Sequence, residues 1–118
     1  MHFDHKLWLN ELKFAKDELS IFTNRLSEVE EKNTSADFSS FAESFQNCLI
    51  RQKEVVDELS HTISEHEAAL ADYAEEFPIA IDRVRFDDHN EIRGKIERFT
   101  VLYAEFKTEF MRFIAKWM

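Results

Sequence analysis

The chain has 118 residues, of which 44% are hydrophobic and 33% are charged, and its formal net charge is −9. This composition is typical of one small folded domain and not of a disordered segment. A single glycine and a single proline exclude glycine-rich phosphate loops, dinucleotide-binding fingerprints and most hairpin-rich β folds, which leaves long helices.

The excess of acidic residues also limits the partners. An acidic surface repels phosphate backbones and anionic lipid, so we expect neither nucleic acid nor a membrane as a partner. Cys48 is the only cysteine, which excludes an internal disulfide and a multi-cysteine zinc site. The first 20 residues are charged throughout and predict neither a signal peptide nor a membrane span, so we expect a cytoplasmic protein.

The first helix is predicted over residues 4–31, with Asp4 as its N-cap. Its apolar positions alternate steps of four and three, which is typical of a helix packed lengthwise on other helices. These positions are Trp8, Leu12, Ala15, Leu19, Phe22, Leu26 and Val29.

The second and third helices are predicted over residues 37–75 and 88–118. The stretch 32–37 reads as a turn, and the segment 75–88 contains the only proline and interrupts the periodicity. The seam of the second helix is Phe45, Leu49, Gln52, Val56, Leu59, Ile63, His66, Leu70 and Tyr73, and that of the third is Ile92, Ile96, Phe99, Tyr103, Phe106, Phe110, Phe113 and Trp117.

Three long helices joined by two connections predict an all-α, antiparallel up-down-up bundle with coiled-coil-like packing, formed by one domain over residues 1–118. Spectrin-type repeats share this plan at the level of the fold. The phrases DHKLWLNELKFAKDEL and FMRFIAKWM resemble small, uncharacterised helical proteins of bacteria. That resemblance implies a helical fold and carries no activity over to this chain.

Some polar residues fall where the helical period places the core. On the first helix they lie between the seam and a second apolar stripe formed by Leu7, Phe14 and Ile21. A hairpin at 32–37 places Glu18 opposite Gln52, and we expect a buried hydrogen bond that fixes the alignment of the helices. The polar residues predicted to be buried are Glu11, Glu18, Arg25 and Gln52.

The same register places His5 opposite His66, and a third histidine, His89, begins the third helix at the same end. One interpretation is a polar layer hydrogen-bonded to caps, backbone or water. A second is a site for one divalent metal, zinc or iron, formed by His5, His66 and His89. If the second and third helices fold back symmetrically about their connection, His89 lies opposite a residue about eight positions from His66. This is an offset of roughly 12 Å along the helix axis, which argues against a shared metal site. A third is an anion held at two helix N-termini.

Other polar motifs indicate little chemistry. His61 and Glu65 have the i, i+4 spacing found in hemerythrin-like proteins, but those have four helices and more histidine pairs; we expect a solvent-exposed pair. Cys48 is expected to be a packed thiol. No glycine-flanked nucleophile or pair of catalytic carboxylates occurs, so the sequence predicts a non-enzyme without a cofactor.

Twelve phenylalanines are a large number for a thin bundle. Several lie at the end opposite the histidines, namely Phe38, Phe41, Phe45, Phe106, Phe110 and Phe113. We therefore expect a structural or protein-interaction module in which helices two and three form a homodimer interface or bind a partner. A metal-binding bundle is the alternative.

Overall fold

Three helices form the structure, a computed structural model that describes residues 2–76 and 83–118, with side chains over 2–72 and 87–118. Helix α1 spans His2–Lys32, α2 spans Ala36–Glu76 and α3 spans Arg83–Trp117. Each helix packs against the other two, which confirms the all-α three-helix bundle. The long dimension is 63 Å, about the length of a straight 41-residue helix such as α2.

The helix boundaries agree with the predicted ones to within two residues, except at the start of α3. That helix begins at Arg83, five residues before the predicted start. Asp4, the predicted N-cap of the first helix, lies inside α1, which begins at His2. Residues 77–82, which include the proline of the predicted connection, and the side chain of Tyr73 lie outside the described residues.

The buried core consists mainly of the residues that were predicted to form the seams of the three helices. All seven seam residues of α1 are buried, as are most of those of α2 and α3. The second apolar stripe of α1 is exposed instead, at Leu7, Phe14 and Ile21. Two neighbouring helices cover only one arc of α1, so a residue between the two stripes lies at the edge of the bundle rather than in its core.

This geometry explains why most of the polar residues that we predicted to be buried do not lie in the core. Glu11 and Arg25 are exposed, and Arg25 pairs with Glu28 on its own helix at 3.4 Å. Glu18 is largely buried, but it turns towards α3 and not towards Gln52. It accepts hydrogen bonds from the Tyr103 hydroxyl at 2.6 Å and from Lys107 at 2.7 Å.

Gln52 is half-buried and lines an opening between α2 and α3, so the predicted Glu18–Gln52 bond is absent among the described residues. Cys48 is exposed, and the prediction of a packed thiol is also wrong. The burial of both residues depends on the rotation of α2 about its own axis, which the helical period alone does not fix.

The turn between α1 and α2 is held by side chains that satisfy helix ends. The Ser35 hydroxyl accepts a hydrogen bond from the Phe38 N–H at 3.2 Å, which is an N-cap contact. Asn33 donates to the carbonyl oxygens of Val29 and Trp117, each at 2.9 Å, and so joins the C-terminal ends of α1 and α3.

Next to this turn, the aromatic residues pack on one another within the chain. Phe113 lies 4.7 Å from Phe45 and 5.6 Å from Phe38 between ring centroids, and Phe110 lies 5.0 Å from Phe22. Phe38, Phe106, Phe110 and Phe113 are all buried. Most of the aromatic surface at this end is therefore covered within the chain, although Phe45 is partly buried and Phe41 is exposed.

Candidate metal centre

Each helix contributes one histidine to a buried cluster at the end opposite the turn. His5 of α1, His66 of α2 and His89 of α3 are 1%, 7% and 2% exposed. All three occupy inward positions of their helices, where the seams of α1 and α2 and the start of α3 place a core side chain. The bundle therefore has a layer of three imidazoles where apolar residues would otherwise pack.

The three rings contact one another. Ring centroids are separated by 5.0 Å for His5 and His66, 5.1 Å for His5 and His89, and 5.7 Å for His66 and His89. One nitrogen from each ring belongs to a set whose members lie within 4.8 Å of one another. The predicted proximity of His5 and His66 is thus confirmed.

The predicted 12 Å between His89 and His66 is wrong. That prediction assumed that the third helix starts at Asp88 and that the hairpin is symmetric. Helix α3 starts six residues before His89 instead, while α2 continues ten residues beyond His66. The asymmetry places His89 level with His66.

Two carboxylates orient two of the rings. The His5 Nδ1–H donates to Glu67, and the His89 Nε2–H donates to Asp4 at 3.1 Å. We assign the tautomers from these acceptors, because a carboxylate requires a donor. The remaining nitrogens, His5 Nε2 and His89 Nδ1, then carry lone pairs and lie 3.3 Å apart.

The electrostatics of the cluster favour charged carboxylates on Asp4 and Glu67 and a neutral imidazole on His89. The hydrogen bond from His89 holds the pKa of the Asp4 carboxyl below its usual value, and Arg93 adds to this effect. Burial raises the pKa of the Glu67 carboxyl, but the hydrogen bonds from His5 and His2 outweigh it and the pKa is lowered. Burial lowers the pKa of His89, although its bond to Asp4 opposes this.

An aromatic ring covers one side of the cluster. Trp8 stacks on His89 with centroids 5.0 Å apart and an interplanar angle of 29°, and it also contacts His5 at 5.8 Å. Arg93 lies over Trp8 at 5.8 Å and pairs with Asp4 at 3.0 Å. These contacts restrict the rotation of the histidine rings and exclude water from this side.

The donor set matches the coordination chemistry of zinc and related ions. A tetrahedral ion with metal–nitrogen bonds of about 2.0–2.1 Å separates its ligand atoms by about 3.3 Å. The His5 Nε2 to His89 Nδ1 separation equals this value, and one nitrogen from each of the three rings lies within 4.8 Å of the others. Carboxylates that accept the outer N–H of ligand histidines are a regular feature of zinc sites.

Two of these residues were not identified from the sequence as parts of a site. Asp4 precedes His5 and was interpreted as a cap, and Glu67 follows His66 without any motif. The repeated Asp-His dipeptide at 4–5 and 88–89 was the available signal, and its first member provides a carboxylate to the cluster.

The motif-like pair His61 and Glu65 lies on the outside of α2. Both side chains are exposed, and they pair at 2.9 Å. This confirms the expected solvent-exposed pair and separates His61 from the cluster that includes His66.

No helix among the described residues is long and apolar enough to cross a membrane. In comparisons with known proteins, no family model, curated protein or solved structure matches the chain. The functional argument therefore rests on the residues themselves.

Proposed function

We propose that this protein binds one divalent transition-metal ion through His5, His66 and His89, with zinc as the best-fitting ion. The observation that carries the proposal is the 3.3 Å approach of His5 Nε2 to His89 Nδ1, the two nitrogens that carry lone pairs in the tautomers assigned from Glu67 and Asp4. Two acceptors in that position repel each other unless a cation lies between or beside them.

A proton and a metal ion are the two cations that fit this position. A proton joins only two nitrogens, whereas a metal ion accepts one lone pair from each of the three rings. The lowered pKa of His89 favours its neutral form, which is the form that binds metal. An anion is disfavoured because Asp4 and Glu67 surround the cluster with negative charge.

The identity of the metal follows from the donors. Three imidazole nitrogens suit zinc, copper, nickel and iron(II), and they do not suit magnesium or calcium, which prefer oxygen. We propose binding without catalysis, since the two carboxylates at the cluster are engaged by histidine N–H groups and are not positioned as free bases. The ion would join all three helices at one end of the bundle.

The test is metal analysis of the native protein followed by zinc titration. We expect close to one zinc per chain, and loss of binding in His5→Ala, His66→Ala and His89→Ala. His61→Ala is the matched control, because this exposed histidine lies on the same helix as His66. A folded protein that competes for zinc no better than its His89→Ala variant would rule out the proposal.

Self-association is a second candidate function, favoured by the exposed stripe on α1. The stripe consists of Phe3, Leu7, Phe14 and Ile21, all exposed. Leu7 and Phe14 also line a groove of about 510 Å³ between α1 and α3. We propose that a second copy of the chain binds this face. The homodimer would then form through the exposed stripe of α1 and not through helices two and three.

The charges beside the stripe support two copies with parallel α1 helices. Lys6 lies along one edge and Glu11 along the other, so a parallel twofold pairing brings Lys6 near Glu11 of the second copy. Asp17 occupies the stripe itself and would oppose Asp17 of the second copy. This repulsion ranks self-association below metal binding.

Sedimentation velocity tests this second candidate. We expect a concentration-dependent dimer that Lys6→Glu weakens and that Lys6→Glu combined with Glu11→Lys restores, because both residues are exposed and the double change exchanges the charges. A monomer at all concentrations up to about 1 mM, or a double variant no better than the single one, would remove the candidate.

A further inference from the structure

An opening between α2 and α3 leads to the histidine cluster. It has a volume of about 310 Å³, and His66 is part of its wall together with Thr62, Ala69 and Ile92. His66 is thus the histidine of the cluster that lines an opening to solvent, while its own side chain remains 7% exposed. The opening therefore reaches the site at the His66 ring.

The other sides of the cluster are covered by side chains. Trp8 stacks on His89 and contacts His5, and Arg93 lies over Trp8. Glu67 covers the outer nitrogen of His5, and Asp4 covers that of His89. The α2–α3 opening is a side of the cluster that these side chains leave uncovered, with room for an ion to pass.

The rim of this opening is acidic. Glu65 of α2 and Asp88 and Glu91 of α3 contribute three carboxylates, and Lys95 is the one basic residue among the described residues of the lining. Lys95 approaches Glu91 at 3.8 Å and offsets one of the three charges. The residual negative charge attracts divalent cations and repels anions as they approach.

We infer that the α2–α3 opening is the route by which the metal enters and leaves, and that Glu65, Asp88 and Glu91 accelerate its entry. The inference rests on the proposed metal site and adds a kinetic property to it. The site exchanges its ion with solvent through a defined route, unlike a zinc site sealed in a core. The carboxylates act on the approaching ion through space and need not coordinate it.

The acceleration of metal entry by the acidic rim can be measured. Steering by a charged rim changes association rates by about tenfold or more, and it weakens as ionic strength rises and the Debye length shortens. Dissociation depends mainly on the three histidines. Neutralising the rim is therefore expected to slow association, with little change in dissociation.

Stopped-flow binding of Co²⁺, followed by its visible absorption, tests this. We expect the Glu65→Gln, Asp88→Asn, Glu91→Gln triple variant to bind about tenfold more slowly than the wild type at low salt. We also expect the two proteins to converge as salt increases. Glu43→Gln, Glu105→Gln, Glu109→Gln is the matched control, since it removes the same charge from exposed positions distant from the opening.

A steric variant tests the route independently of charge. Ala69 lies in the wall of the opening, and we expect Ala69→Phe to slow both association and dissociation of Co²⁺ by a similar factor. Unchanged rates in this variant, or equal slowing in the rim variant and its control, would overturn the inference. Failure of the wild type to bind Co²⁺ or zinc at all would instead overturn the proposed function, so the two outcomes are distinguishable.

Discussion

His5 Nε2 lies 3.3 Å from His89 Nδ1, although 84 positions separate the two histidines in the chain. Both nitrogens face inward because the opposite nitrogen of each ring donates to a carboxylate, Glu67 for His5 and Asp4 for His89. Asp4 and Glu67 therefore act as positioning residues, and each one fixes the orientation of one proposed metal ligand.

Loss of these carboxylates is expected to weaken metal binding without abolishing it. Asp4→Ala and Glu67→Ala free the rings to rotate and change tautomer, so we predict a zinc affinity lower by about 10- to 100-fold in each variant. Isothermal titration against a competing chelator measures the change. Asp17→Ala, an exposed carboxylate on the same helix as Asp4, is the control and should bind as the wild type does. Wild-type affinity in both positioning variants would contradict the assignment.

Removal of the metal is expected to destabilise the bundle. One ion joins three helices in the folded state, so free zinc at 100 times its dissociation constant adds about 2.7 kcal/mol to the free energy of unfolding. Urea unfolding with zinc and with a chelator measures this difference. His89→Ala should show none, and magnesium should not replace zinc because it prefers oxygen ligands. Equal stability with and without zinc would argue against a site that holds the helices together.

Alanine substitution of two phenylalanines tests which apolar positions stabilise the fold. Phe110 is 0% exposed and Phe14 is 66% exposed. We expect Phe110→Ala to reduce the free energy of unfolding by about 3–5 kcal/mol through the cavity that it leaves. Phe14→Ala should change it by less than about 0.5 kcal/mol. A comparable loss in both variants, measured below any association concentration, would show that α1 packs differently.

The environment of Tyr103 leads us to expect that the protein loses stability at alkaline pH. Burial and the hydrogen bond to Glu18 raise its pKa far above the ordinary value of 10.0. Below pH 10 the phenol is protonated in both states, and its contribution is fully present. Above pH 10 the unfolded chain releases the proton and the folded chain retains it, so stability falls as pH rises.

The matched variant is Tyr103→Phe, which cannot ionise. We expect its stability to fall less steeply than that of the wild type between about pH 10 and 11, as measured by denaturant unfolding. The two proteins differ only in this hydroxyl, so the difference between their curves isolates Tyr103. Parallel curves would indicate that the hydroxyl is not buried against Glu18.

Much of the fold follows from local sequence. The alternating steps of four and three set the core face of α1 from Trp8 to Val29, and the turn at 32–37 sets the pairing of His5 with His66. These features depend on helical period and hairpin reflection, which are properties of short segments. The start of α3 was less predictable, because the segment before Asp88 has no simple period.

The candidate site was predicted less completely. The three histidines were identified, but their approach depends on the register of α3, and a shift of a few residues changes a separation by several ångströms. The partners of Glu18 were missed for a related reason. A helix wheel shows that a residue lies at the edge of the core, and only packing decides that Glu18 faces Tyr103 and Lys107 and not Gln52.

The sequence by itself determined three long helices, their apolar faces and the inward position of His5 and His66, because helical periodicity is encoded residue by residue. Only the tertiary structure decided that His89 joins them, that Asp4 and Glu67 orient the rings, and that the cluster opens between α2 and α3. The reason is physical: these properties depend on the axial offset and rotation of one helix against another, which no single segment specifies.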